Sequence, residues 1–179
     1  MAALGALARG GVTAVAIEPL AGELGVSRGS FYWHFTDRAE LVAAALDFWA
    51  TEGTRKVIER LRGIEDPATR LSALFQEAFG DEVIVGLEPA LLASADHPLV
   101  APVLSWVTDE RIRFLAQCYA DLGMPRSTAR QQAVVAYAAY LGWFELRRAA
   151  PAVVPEVAAT GRPARAALTY LLDQLVHPA

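Results

Sequence analysis

LGVSRGSFYWHF, residues 24–35, sets five ring side chains in a row, Phe31, Tyr32, Trp33, His34 and Phe35, after a turn containing Gly25 and Gly29. On a helix, consecutive positions spread around most of the circumference, so five rings cannot all enter one core. Phe31 and Phe35, four apart, can share the core face. Tyr32, Trp33 and His34 then turn outward beside Ser27, Arg28 and Ser30. Outward aromatics on a polar surface call for a partner.

The flanking residues say what kind of element carries these rings. Ser27 is suited to cap a helix running to about Phe35. Upstream, Ile17 to Leu24 reads as a second short helix, with Pro19 tolerable in its first turn and Gly25 at its end. Two short helices joined by a glycine turn form a helix-turn-helix. Ala21 is small enough for close approach, and Val26 and Phe31 are expected to bury against Leu20 and Leu24. The second helix would then present Arg28, Gly29, Ser30, Tyr32, Trp33 and His34. A phenol and an imidazole can donate to phosphate oxygens, and an indole can cover a sugar or a thymine methyl. Gly29 allows close backbone approach, and Ser27 with the neighbouring free N–H groups suits a phosphate.

Further out, apolar spacings of three and four recur and no long period-two alternation occurs, so the fold class is all-α. A first helix spans about Ala2–Arg9 and stops at Gly10-Gly11. Asp37, with Glu40 three residues on, resembles a capping box opening a long helix to about Arg62. Asp66 and Pro67 open the next, as cap and first helical residue. Leu87–Ala95, Leu99–Leu122, Ser127–Ala149 and Pro163–Val176 complete the set. Their breaks fall at Asp96-His97-Pro98, Gly123-Met124-Pro125 and residues 150–161.

The chain has 179 residues, 54% hydrophobic and 20% charged, which is the composition of a folded protein. Its net charge of −4 gives no global attraction to nucleic acid, so any DNA contact must be local. Residues 1–38 carry Arg9, Arg28 and Arg38 against Glu18, Glu23 and Asp37, a neutral balance. The lone Cys118 cannot form an internal disulfide and reads as an inert buried thiol, in keeping with a reducing compartment. No signal peptide is expected and no stretch reaches the roughly 20 apolar residues of a membrane span, so a cytoplasmic protein is expected. None of His34, His97 and His177 has a glutamate three residues before it, and no phosphate loop, nucleophile elbow or Cys-His cluster occurs. Catalytic residues, metal and cofactors are therefore none, and Asp96-His97 reads as a turn.

In the second part of the chain, Phe75, Phe79, Trp106, Phe114, Tyr137, Tyr140, Trp143 and Phe144 are candidates to line an apolar ligand pocket. Trp106, Tyr137 and Trp143 are favoured, because their polar edges can orient a ligand while their rings are buried. The Gln131–Arg148 helix is apolar nearly all round, and Leu168, Leu171, Leu172 and Leu175 form a stripe on the last helix. A second subunit is the expected cover, in a four-helix interface with two helices from each chain.

The run LAGELGVSRGSFYWHFTDRAEL, Leu20 to Leu41, resembles the DNA-binding region of TetR-type transcriptional regulators. The shared features are its length, the Gly-Val-Ser turn, the Tyr-Trp-His-Phe ending and a basic residue, Arg38, three after that Phe. The resemblance implies an N-terminal three-helix helix-turn-helix head, residues 1–46, and a larger helical ligand-binding and dimerisation body, residues 47–179. It implies that Ser27, Arg28, Gly29, Ser30 and Trp33 face bases or sugars while Tyr32, His34 and Arg38 hold phosphates. It further implies a homodimeric repressor on a near-palindromic double-stranded DNA operator, released by a small-molecule effector bound among the body helices. The family usually has a longer first helix preceded by a basic arm. The alternative is a helical protein–protein or small-molecule binding module without DNA binding.

Overall fold

A computed structural model describes residues 1–80, 86–154 and 162–177, with the main chain alone at Arg28. Among the described residues every regular element is helical. The order is α1 (Ala2–Gly10), a 3₁₀ turn (Val12–Ala14), α2 (Ile17–Leu24), α3 (Arg28–His34) and α4 (Arg38–Ala50). A π turn (Thr51–Arg55) follows, then α5 (Lys56–Arg62), α6 (Pro67–Gly80), α7 (Leu87–Leu92), α8 (Ala101–Asp121), α9 (Arg126–Ala149) and α10 (Arg162–Val176).

The local stop and start signals act as their chemistry dictates. Gly25 ends α2 in the left-handed region, φ 65 and ψ 26, where its N–H donates to the carbonyls of Ala21 and Gly22. The Ser27 Oγ accepts from the Ser30 N–H at 3.1 Å, capping α3. The Asp37 Oδ1 accepts from the Glu40 N–H at 2.9 Å. Glu40 reaches back one residue further than a standard capping box and accepts from the Thr36 N–H at 2.5 Å. At α6, Asp66 accepts from both the N–H and the hydroxyl of Thr69, at 2.7 and 2.6 Å. Those two bonds hold the Asp66 carboxyl below its usual range.

Three expectations are revised. The long helix expected over 37–62 contains the π turn at Thr51–Arg55, so the ladder there carries an extra residue. Buried Trp49, Ala50 and Thr54 anchor this stretch. The helix expected to Ala95 stops at Leu92, and His97 organises the turns beyond it, its Nδ1 accepting from the Leu99 N–H at 3.2 Å. Leu24 and Val26 are exposed, not buried.

Two compact units emerge, one of residues 1–56 and 84–108, the other of 57–83 and 109–179. The first is built on Leu4, Leu7, Val12, Val15, Leu20, Val42, Leu46 and Trp49 with Leu87, Leu91, Val100 and Val107. The second is built on α5, α6, α9, α10 and the later part of α8, around Leu71, Phe75, Phe79, Leu115, Tyr119 and Phe144. In the second unit the buried Tyr119 hydroxyl donates to the Leu175 carbonyl at 2.7 Å, tying α8 to α10. The half-buried Arg70 bonds Asp121 at 2.7 Å and the Ile64 carbonyl at 2.9 Å. No helix among the described residues is long and apolar enough to cross a membrane.

Candidate nucleic-acid interface

The first unit presents α3 on its surface. Leu20 and Ala21 of α2 are buried, whereas no described side chain of α3 is fully buried. Phe31 and Phe35 are half-buried, with ring centroids 5.4 Å apart, and supply the inner face expected of them. Outside lie Tyr32, 52% exposed, Trp33, 88% exposed, and His34. The Tyr32 ring stands edge-on to Phe31 at 5.2 Å, which braces it against the inner face. Trp33 has no such brace among the ring pairs of the described residues. An indole left almost wholly in water forgoes the 1.5–3 kcal/mol or so that burying a large apolar side chain gives. That exposure points to a function outside the chain.

The polar residues around these rings divide into two groups. Ser27, Gly29 and Ser30 share the exposed start of α3, where the Ser27 and Ser30 hydroxyls lie 3.1 Å apart. Among the described residues a Cβ on Gly29 would meet only the Ser27 Oγ, at 3.5 Å, an ordinary contact. Arg28 belongs to α3, and its side chain lies outside the described residues. Arg38 stands apart at the first position of α4. Its Nε donates to the Val15 carbonyl at 2.5 Å and an Nη to the Val12 carbonyl. Arg9 forms an exposed ion pair with Glu23 at 3.6 Å, of the sort that contributes little. The features missed by sequence reasoning are the Arg38 carbonyl bonds and the exposed apolar pair Leu24 and Val26; no local pattern signals either.

The aromatic candidates of the body are divided between the two units. Phe75, Phe79, Phe114, Tyr137, Trp143 and Phe144 are buried in the second unit's core, and Tyr140 packs against it. Phe79 is the hub, with ring centroids 5.7 Å from Tyr140, 5.9 Å from Trp143 and 6.0 Å from Phe144. Trp106 belongs to the first unit, where the Arg55 guanidinium lies 4.5 Å above its ring. A separate cleft of about 330 Å³ opens between α6 and α10, lined by Thr69, Ser72, Gln76, His177 and small apolar residues. Cys118 is fully buried, and loss of water around it raises its thiol to about 11. No group of three or more His, Cys, Asp or Glu among the described residues could hold a metal ion.

The leucine stripe of α10 turns inward. Leu175 is buried, and Leu168, Leu171 and Leu172 pack on the second unit's own core. The large apolar residues left exposed on α9 and α10 are Val134, Val135, Leu146 and Tyr170.

Comparison with known proteins bears on this geometry. Residues 1–45 match the family model of bacterial regulatory proteins, tetR family. No curated protein matches the chain. Among solved structures, a transcriptional regulator from Rhodococcus sp. Rha1 superposes with a TM-score of 0.72 at 22% identity, covering 98% of this chain and 90% of that one. A Rhodococcus sp. protein assigned to the TetR family of transcriptional regulators gives 0.66 at 22% identity, covering 97% and 92%. The reduced form of NemR from E. coli gives 0.68 at 19% identity, covering 95% and 91%. Residues 1–45 are thus similar to the tetR-family model, and the chain shares the fold of these solved transcriptional regulators.

Proposed function

We propose that the chain is a homodimeric transcriptional repressor whose heads hold a near-palindromic operator and which a small, largely apolar effector releases. Residues 1–46 serve as the DNA-binding domain and 47–179 as the ligand-binding and dimerisation domain, in a cytoplasmic, non-enzymatic protein. The observation that carries this reading is the exposed row Tyr32, Trp33 and His34 on a capped helix in a TetR-type head. Tyr32 and His34 hold phosphates. Trp33, with Ser27, Arg28, Gly29 and Ser30, faces bases and sugars. Val134, Val135, Leu146 and Tyr170 support a second copy as the cover of α9 and α10. The Phe79 ring cluster supports an apolar effector, because a small rearrangement of packed rings can open space of matching chemistry.

In the dimer, two copies of α3 about 34–36 Å apart would read half-sites one DNA turn apart. The effector acts by binding better to a conformation in which that spacing is wrong; equal affinity for both conformations would shift nothing.

The test is selection of short genomic fragments on the purified protein, followed by salt titration of the enriched sequences. An enriched inverted repeat, lost steeply as salt rises, supports the repressor. Absence of binding to any duplex at low salt supports the alternative, a helical binding module built on the aromatic body. Arg28→Ala should change which operator positions matter, whereas Tyr32→Phe should weaken all sequences alike.

A further inference from the structure

We propose that Arg38 is a positioning residue that closes the base of the helix-turn-helix, a role distinct from holding a phosphate. The proposal rests on the DNA-binding reading above for its functional consequence, though not for its geometry. Val12 and Val15 lie in and just after the 3₁₀ turn that precedes α2, and both are buried. Within the turn the Val12 carbonyl accepts from the Val15 N–H at 3.2 Å and keeps a second lone pair, while the Val15 carbonyl at the turn's end needs a donor from elsewhere. Arg38, 23 residues beyond Val15 and 26 beyond Val12, supplies it with two arms of one guanidinium. Residues 16–37, which contain all of α2 and α3, therefore leave from and return to a single point.

That point matters because few side chains of the segment are fully buried. Of α2 only Leu20 and Ala21 are buried, and no described side chain of α3 is. The clamp also explains why arginine suits the position. A planar fork reaches two acceptors at once, whereas a lysine ammonium on a flexible stem offers a point charge without a fixed direction. A phosphate contact accepts either residue; a two-carbonyl clamp does not.

The experiment compares wild type, Arg38→Lys and Arg38→Gln, by amide hydrogen exchange without DNA and by binding to a random-sequence duplex of about 30 base pairs across a range of salt. The clamp predicts exchange at least fivefold faster across α2 and α3 in both variants, with α1 and α7 unchanged. It predicts weaker duplex binding by both variants with an unchanged salt slope. Unchanged exchange overturns the proposal. So does a uniform rise across the whole first unit, which would make Arg38 an ordinary stabilising residue. A slope that falls by about 0.9 in Arg38→Gln and returns, with affinity, in Arg38→Lys also overturns it, because that is the signature of a phosphate contact. If Arg38→Gln fails to fold, Arg38→Lys decides alone. Should wild type bind no duplex, the DNA reading falls while the exchange result still judges the clamp.

Discussion

Three glycines near the start of the chain differ in backbone and surroundings, and replacing each by alanine separates conformational cost from packing cost. Gly25 sits at φ 65 and ψ 26, and among the described residues a Cβ there would meet nothing within 4 Å. The penalty of Gly25→Ala is therefore the left-handed conformation alone, about 1–2 kcal/mol. Gly22, three residues earlier, lies in α2 with ordinary helical geometry and equally open space. There the substitution removes only excess freedom from the unfolded chain and should stabilise by about 0.5–1 kcal/mol. Gly11 has φ 64 with ψ −159, a region essentially reserved for glycine, and its Cβ would fall 2.9 Å from the Ser94 Oγ. Strain of about 1–3 kcal/mol plus that clash makes Gly11→Ala the worst of the three. The assay is thermal unfolding followed by circular dichroism. A chain of this size shifts by roughly 2–4 °C per kcal/mol. Gly22→Ala should melt above wild type, Gly25→Ala below it and Gly11→Ala lowest. A Gly25→Ala protein as stable as wild type would refute the left-handed turn between α2 and α3.

Other consequences can be measured directly. The Asp66 carboxyl is held below its usual range by Thr69, so its contribution is present above the unfolded carboxyl range and lost as pH falls through the lowered folded value. Asp66→Asn should flatten the acid limb of a stability–pH profile; an identical limb would contradict the cap. Phe79→Ala removes the ring that four others touch and should cost about 3–5 kcal/mol in urea unfolding, with a cost under 1 kcal/mol contradicting the buried hub. Cys118, raised to about 11, should react with a disulfide reagent at pH 8 far more slowly in the native than in the urea-unfolded protein, and equal rates would show the thiol to be accessible.

What could be read in the residues was local. The range Ile17–Leu24 for α2, the Ser27 and Asp66 caps and the Gly25 stop each depend on groups within about four positions, and the structure has all of them. Signals that depend on distant partners were not legible. Nothing near Arg38 in sequence announces that its guanidinium meets the Val12 and Val15 carbonyls. The π turn at Thr51–Arg55 leaves the residue order helical and changes only the ladder, which the packing of Trp49, Ala50 and Thr54 decides. Trp106 has the same aromatic chemistry as its fellow candidates, and only the course of α8 assigns it to the first unit. The leucine stripe of α10 fits an outer or an inner face equally well by periodicity, and core contacts turn it inward.

The most direct test of the central claim is Trp33→Ala, assayed in parallel for thermal stability and for binding to duplex DNA at low salt. Trp33 is 88% exposed, so its removal should change stability by no more than about 0.5 kcal/mol. If α3 reads DNA, binding should weaken severalfold at an unchanged melting temperature. Full binding by the variant would contradict the account, and so would a large loss of stability, which would mean that the indole is part of a core.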